Sequence, residues 1–120
     1  MEKETTIKVI GIGGGGGNAI DRMAQCKIKG IELIAVNTDV QDLKKIRATK
    51  KIRIGQESAR GLGAGMNPEL GRRSALESKE EIAEALKGAQ MGFLAAGLGG
   101  GTGGGAIPVM AEIARSQGGL

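Results

Sequence analysis

The chain reads as a three-layer α/β domain built on a parallel sheet, and three observations carry that reading. Short apolar, β-branched-rich runs alternate with segments of helical period along all 120 residues. No two strand-like runs follow one another without a helix-like segment between them, which calls for crossover connections of one hand. Each turn of unusual composition follows a strand-like run, which places these turns together at the carboxyl edge of a parallel sheet.

Taken in order, Ile7, Val9, Ile10 and Ile12 form a buried strand that ends in Gly13 to Gly17. A helix is expected next, with Asn18 as its N-cap, an inward face of Ile20, Met23, Ala24 and Ile28, and a stop at Gly30. Ile31 to Val36 is apolar except for Glu32 and reads as a second interior strand closing in Asn37-Thr38-Asp39. A short helix through Val40, Leu43 and Ile46 leads to a third strand, Lys50 to Ile54. There Ile52 and Ile54 point one way and Lys51 and Arg53 the other, the pattern of an edge strand whose charges discourage unwanted pairing.

After the turn Gly61-Leu62-Gly63-Ala64-Gly65, Asn67 is expected to cap a helix with Pro68 in its first position. Ser78 and Glu81 have capping-box spacing ahead of a second segment with Ile82, Ala85, Leu86 and Ala89 on one face and Gly88 near its end. Met91 to Ala96 is the fourth strand. The last helix is expected from about Gly105 to Gln117, with Ile107, Met110, Ala111 and Ala114 inward. These elements give a Rossmann-like sheet of about four strands with helices on both faces; the expected order is 3-2-1-4 if strands one and four are neighbours, and the sequence alone allows other orders.

Composition narrows the class. The 23 glycines lack a G-X-Y period and are joined by only two prolines, which removes collagen-like and Pro/Gly-rich disordered readings. The single cysteine, Cys26, has no partner for an internal disulfide and reads as a core or boundary thiol, in keeping with a reducing cytoplasm. No apolar run reaches membrane-spanning length, and Met1 to Thr6 lacks the apolar core of a signal peptide, so no direct membrane insertion is expected. Seventeen basic against thirteen acidic residues leave a formal charge of +4, with the excess in Lys44, Lys45, Arg47, Lys50, Lys51 and Arg53. With Phe93 the only aromatic residue, that strip offers no stacking platform, and no nucleic-acid partner is expected. A solvated face is its simplest reading, ahead of a surface for polyanions or acidic lipid.

The glycine clusters, Gly13 to Gly17 and Gly99 to Gly105 interrupted by Thr102, point to an anion site. Glycine lets backbone N–H groups turn toward a ligand, and a following helix adds the positive end of its dipole. A phosphate-bearing nucleotide fits such a pair. Neither cluster contains the Gly-Lys-Ser/Thr of a P-loop. Gly11, Gly13 and Gly16 satisfy G-x-G-x-x-G, so a dinucleotide-binding domain remains an alternative, although Asn37 stands where that fingerprint wants an acidic residue.

Four ordered segments resemble the FtsZ/tubulin family: IKVIGIGGGGGNAIDRM from Ile7 to Met23, AVNTD from Ala35 to Asp39, GLGAGMNPE from Gly61 to Glu69, and AAGLGGGTGGGAIPVMAE from Ala95 to Glu112. The resemblance implies a cytoplasmic, GTP/GDP-binding protein that self-associates into filaments with division-ring partners at midcell. Carried over by position, Gly14, Gly15, Gly16, Gly17 and Asn18 would lie against the nucleotide, with Gly101, Thr102 and Gly103 cradling its phosphates. Gly63, Ala64 and Gly65 would lie near the terminal phosphate, and Asp39 would reach Mg²⁺ through water. The signature departs at Gly104, where the family has Thr or Ser.

The resemblance further implies that residues 1–120 are a partial GTP-binding domain, with the C-terminal activation domain absent and hydrolysis completed by that missing half and a neighbouring subunit. No residue is assigned a catalytic role, and whether the chain alone is an enzyme stays open. A non-catalytic module that caps filaments is a further alternative. Tight turns are the bland reading of the glycines, and helix capping is the bland reading of Asp39. The fourth strand is expected to stand at an open edge, which predicts marginal stability and association.

Overall fold

The computed structural model describes residues 7–26, 30–55, 68–87, 91–96 and 101–116. The elements run β1 (Ile7–Ile12), α1 (Gly13–Gln25), β2 (Ile31–Asn37), α2 (Val40–Lys45), β3 (Lys50–Arg53), α3 (Pro68–Glu77), α4 (Lys79–Leu86), β4 (Met91–Ala96) and α5 (Gly101–Ser116). The four strands form one parallel sheet, as the alternation of elements predicts, and β4 pairs with β1, which sets the order at β3-β2-β1-β4. Register is regular: Ile7 stands opposite Ile31 on one side and Met91 on the other, and Ile34 opposite Lys50.

Strand periodicity sorts the interior into two cores. Ile10, Ile12, Ile34, Val36, Ile52 and Ile54 face a layer that contains Ala75, Ile82, Ala85, Leu86, Ala106, Met110 and Ile113, the inward residues of α3, α4 and α5. Val9, Leu33 and Ala35 face Ile20, Leu43 and Ile46, from α1, α2 and the residue that ends α2. Burying a side chain of this size contributes roughly 1.5–3 kcal/mol, so the two layers supply the main drive for the sandwich. β3 is an edge strand: Ile52 is buried, Lys50, Lys51 and Arg53 are exposed, and Ile54 extends the pairing by donating its N–H to the Asn37 carbonyl at 3.0 Å.

Among the described residues Lys8 is the buried charge. Its Nζ donates to the carbonyl oxygens of Ala85 at 2.7 Å and Lys87 at 2.9 Å, and lies 3.5 Å from a Glu32 carboxylate oxygen. The lysine thereby satisfies carbonyls at the C-terminal end of α4, where helical partners run out, and ties that end to the middle of the sheet.

Several local expectations are corrected. Asn18 does not cap a helix; it lies inside α1, which starts directly after Ile12, whose extended backbone precedes the turn. The change from strand to helix takes a single residue because Gly13 adopts φ +75°, a conformation closed to most side chains. The first glycine cluster is therefore helical, not a loop. Likewise α5 begins at Gly101, not near Gly105. Ser78 makes no side-chain cap bond at the start of α4. Its own N–H already donates to the Ala75 carbonyl at 3.2 Å, so the donor that a capping box would satisfy from Glu81 is occupied. Cys26 is exposed just past α1, so it is no core thiol. Pro68 does open α3, whereas Asn67, Ile28, Gly88, Ala89 and residues 1–6 lie outside the described residues.

Candidate functional site

The switch point of the sheet falls at β1, between β2 on one side and β4 on the other. α1 leaves β1 on one face, and α5 follows β4 and covers the other face, as the two core layers show. The helices nevertheless touch. Because the sheet separates them along their length, they can meet only beyond its rim, near the carboxyl ends of β1 and β4. Two helix N-termini built from glycine therefore share one edge of the sheet, where open α/β sheets receive ligands.

The first cluster divides between packing and exposure. Gly13, Gly16 and Gly17 are buried, while Gly14, Gly15 and Asn18 are exposed. Gly16 presses against Gly11 of β1, and a Cβ on Gly17 would lie 3.5 Å from the Ile46 side chain. These buried glycines let α1 approach the sheet and the end of α2. The end itself is uncapped: Ile12 offers no side-chain bond, and the first turn of α1 contains no acidic residue. The leading N–H groups of a helix have no partner within it, so this end has donors and a partial positive charge to offer. Helix α5 similarly has no acid in its first turn. The backbone of Gly101, Thr102 and Gly103 forms that turn, and Gly63, Ala64 and Gly65 lie outside the described residues.

β2 delivers a third group to the same edge. Asn37 Oδ1 accepts from the Asp39 N–H at 3.1 Å, a local turn that aims Asp39 at the start of α2. Asp39 Oδ1 then accepts from the N–H groups of Gln41 at 2.9 Å and Asp42 at 3.2 Å. The capping role of Asp39 is thus filled by one of its two oxygens. Sequence reasoning passed over a second carboxylate: Asp42 Oδ2 lies 3.7 Å from the position a Cβ on Gly14 would take. An acid three residues after a cap is an ordinary first-turn residue, and only tertiary packing brings it beside the first turn of α1.

Among the described residues no three acidic, cysteine or histidine side chains gather as a metal cluster. Among the described residues, too, no helix is long and apolar enough to cross a membrane. A cavity of about 350 Å³ lined by Met23, Ile31, Leu33 and Thr49 lies near the end of α1 and the start of β2, away from the glycine-built edge. The strip Lys44, Lys45, Arg47, Lys50, Lys51 and Arg53 is exposed throughout.

Fold and edge together define a parallel α/β protein with paired glycine helix starts at its switch point. Residues 6–119 match the model of the Tubulin/FtsZ family, GTPase domain. The chain belongs to the tubulin/FtsZ family. It is 57% identical over 117 residues to cell division protein FtsZ 1 of Thermococcus kodakarensis, covering 98% of this chain and 31% of that protein. An empty FtsZ dimer from M. jannaschii matches with a TM-score of 0.95 at 47% identity, over 98% of this chain and 34% of that one. CetZ2 from Haloferax volcanii, solved as a GTPγS-bound protofilament, matches with a TM-score of 0.77 at 31% identity, over 93% of this chain and 36% of that one. The chain thus spans about a third of the length of these relatives.

Proposed function

We propose that this chain forms the phosphate-binding part of a guanine-nucleotide site in a self-assembling GTPase of cell division. The observation that carries the reading is the uncapped start of α1, directly after β1 at the switch point, with α5 following the adjacent strand β4 and approaching α1. Exposed Gly14 and Gly15 present backbone donors there, and exposed Asn18, one turn further along α1, is assigned to the sugar or base by family resemblance. By family resemblance, Gly101, Thr102 and Gly103, whose backbone forms the first turn of α5, cradle the phosphates with backbone donors. Buried Gly16 and Gly17 act behind this surface, by letting α1 approach the sheet. Gly63, Ala64 and Gly65 are assigned to the terminal phosphate by family resemblance.

Preformed donors of this kind suit a triphosphate, because they need little rearrangement to meet its charge. Mg²⁺ fits the donor set: it commonly keeps several waters and needs only one or two carboxylates besides substrate phosphates. Asp39 would hold it through water, using the carboxylate that also caps α2. When bound, the cation would offset phosphate charge. Hydrolysis and filament growth belong to the intact protein in this reading, with the remaining two-thirds and a neighbouring subunit completing the site, in the cytoplasm at a midcell ring.

Titration with fluorescent mant-GTP and mant-GDP, with ATP and NADH as competitors, tests the assignment. Guanine nucleotides should bind and be displaced by GTP but not by ATP or NADH. Gly15→Asp, which adds a negative charge to the exposed first turn of α1, should weaken binding at least about tenfold. Equal and weak binding of all four nucleotides, or an unchanged affinity in Gly15→Asp, contradicts the proposal. Light scattering of the full-length protein with GTP, compared with GDP, tests assembly.

A further inference from the structure

We propose that Asp42 sets the dependence of nucleotide binding on divalent cations, an inference that rests on the guanine-nucleotide reading of this edge. The observation is spatial. Gly14 is exposed at the uncapped start of α1, and among the described residues outside its own stretch of α1 the Asp42 carboxylate is the group that lies within 4 Å of where its Cβ would stand. That first turn contains no acid of its own, so Asp42 is a negative charge delivered to it from another helix.

Two interactions follow from this position. Without nucleotide, the carboxylate complements the positive end of α1, a contribution helix termini favour. With nucleotide, the same carboxylate lies beside phosphate charge, and like charges at such range repel by an amount that local screening sets. A divalent cation held by Asp39 through water would supply positive charge near Asp42 and offset that repulsion. Asp42 thus penalises metal-free nucleotide and tolerates or favours the metal-bound form.

The plain alternative is that Asp42 serves only α2, as an acid in its first turn. The two differ in what Asp42→Asn does. A helix-stabilising role changes melting temperature and leaves the cation dependence of binding untouched. A role at the nucleotide edge changes that dependence.

The experiment is a mant-GDP titration of the protein and of Asp42→Asn, each in excess EDTA and in excess Mg²⁺, with thermal melting of both. The expected result is an affinity in EDTA that rises about three- to tenfold in Asp42→Asn, while the affinity in Mg²⁺ stays equal or falls. The ratio of the two affinities therefore shrinks. Asp42→Glu, which keeps the charge, should retain the parental ratio. An unchanged ratio in Asp42→Asn overturns the inference and leaves the nucleotide reading standing. Failure of the parent to bind mant-GDP in either buffer overturns both. If Asp42→Asn is too unstable to titrate, raising ionic strength on the parent gives the second measurement: affinity in EDTA should improve relative to affinity in Mg²⁺ as the repulsion is screened, and the opposite trend overturns the inference.

Discussion

Gly11 on β1 and Gly16 on α1 are in backbone contact, so close that a Cβ on Gly11 would lie 2.6 Å from the Gly16 carbonyl carbon and 2.5 Å from Ile20 Cγ1. The contact fixes how deeply the first turn of α1 sits over the end of its strand. It also gives a physical sense to G-x-G-x-x-G here: Gly13 turns the chain, and Gly11 and Gly16 let strand and helix touch.

Gly11→Ala is accordingly expected to destabilise the protein by about 3 kcal/mol, because backbone on one side and a buried isoleucine on the other leave little room to relax. Urea unfolding monitored by circular dichroism measures this. A loss below about 0.5 kcal/mol, within the range of neutral surface changes, would refute the contact.

Gly55 and Gly30 both have positive φ, at +70° and +82°, but their surroundings differ. A Cβ on Gly55 would collide with the Ser74 side chain, whereas one on Gly30 meets nothing within 4 Å. Gly30→Ala should therefore cost only the left-handed backbone term, about 1–2 kcal/mol. Gly55→Ala should cost more, through displacement of Ser74, whose hydroxyl donates to the Leu70 carbonyl at 2.7 Å. Equal denaturation midpoints for the two variants would contradict this ranking.

Lys8→Met keeps the length of an apolar stem and removes the ammonium. The Ala85 and Lys87 carbonyls then lose their donor, at an expected cost of about 1–3 kcal/mol. Glu32→Gln should cost less, since that carboxylate is partly exposed and the lysine keeps both carbonyls. Hydrogen exchange at the end of α4 should speed up in Lys8→Met and hardly change in Glu32→Gln. The reverse order would show that the ion pair, not the carbonyl pair, holds Lys8.

Asp39 separates its two roles by substitution. Asp39→Asn keeps an oxygen for the Gln41 and Asp42 amides, so its melting temperature should stay near that of the parent, while Asp39→Ala should lose about 1 kcal/mol. Both substitutions should lower nucleotide affinity in Mg²⁺ if the carboxylate serves the cation. A loss confined to Asp39→Ala would assign Asp39 to capping alone.

The sequence by itself determined the order and type of the elements, the edge character of β3 and the family, because periodicity, turn chemistry and motif order are all local properties of the chain. The strand order was open in the sequence and was decided by tertiary pairing of β4 against β1. The sequence misplaced Gly13 to Gly17 and Gly101 to Gly105 as loops, since glycine is a poor helix former by about 1 kcal/mol relative to alanine. Only the tertiary structure made the first of these segments helical: close approach of α1 to β1 and to Ile46 rewards the missing side chains, and no local propensity contains that term. The meeting of Asp42 with Gly14, and the grip of Lys8 on the end of α4, arise in the same way. Each joins residues far apart in the chain, through distances that exist only once both layers have closed on the sheet.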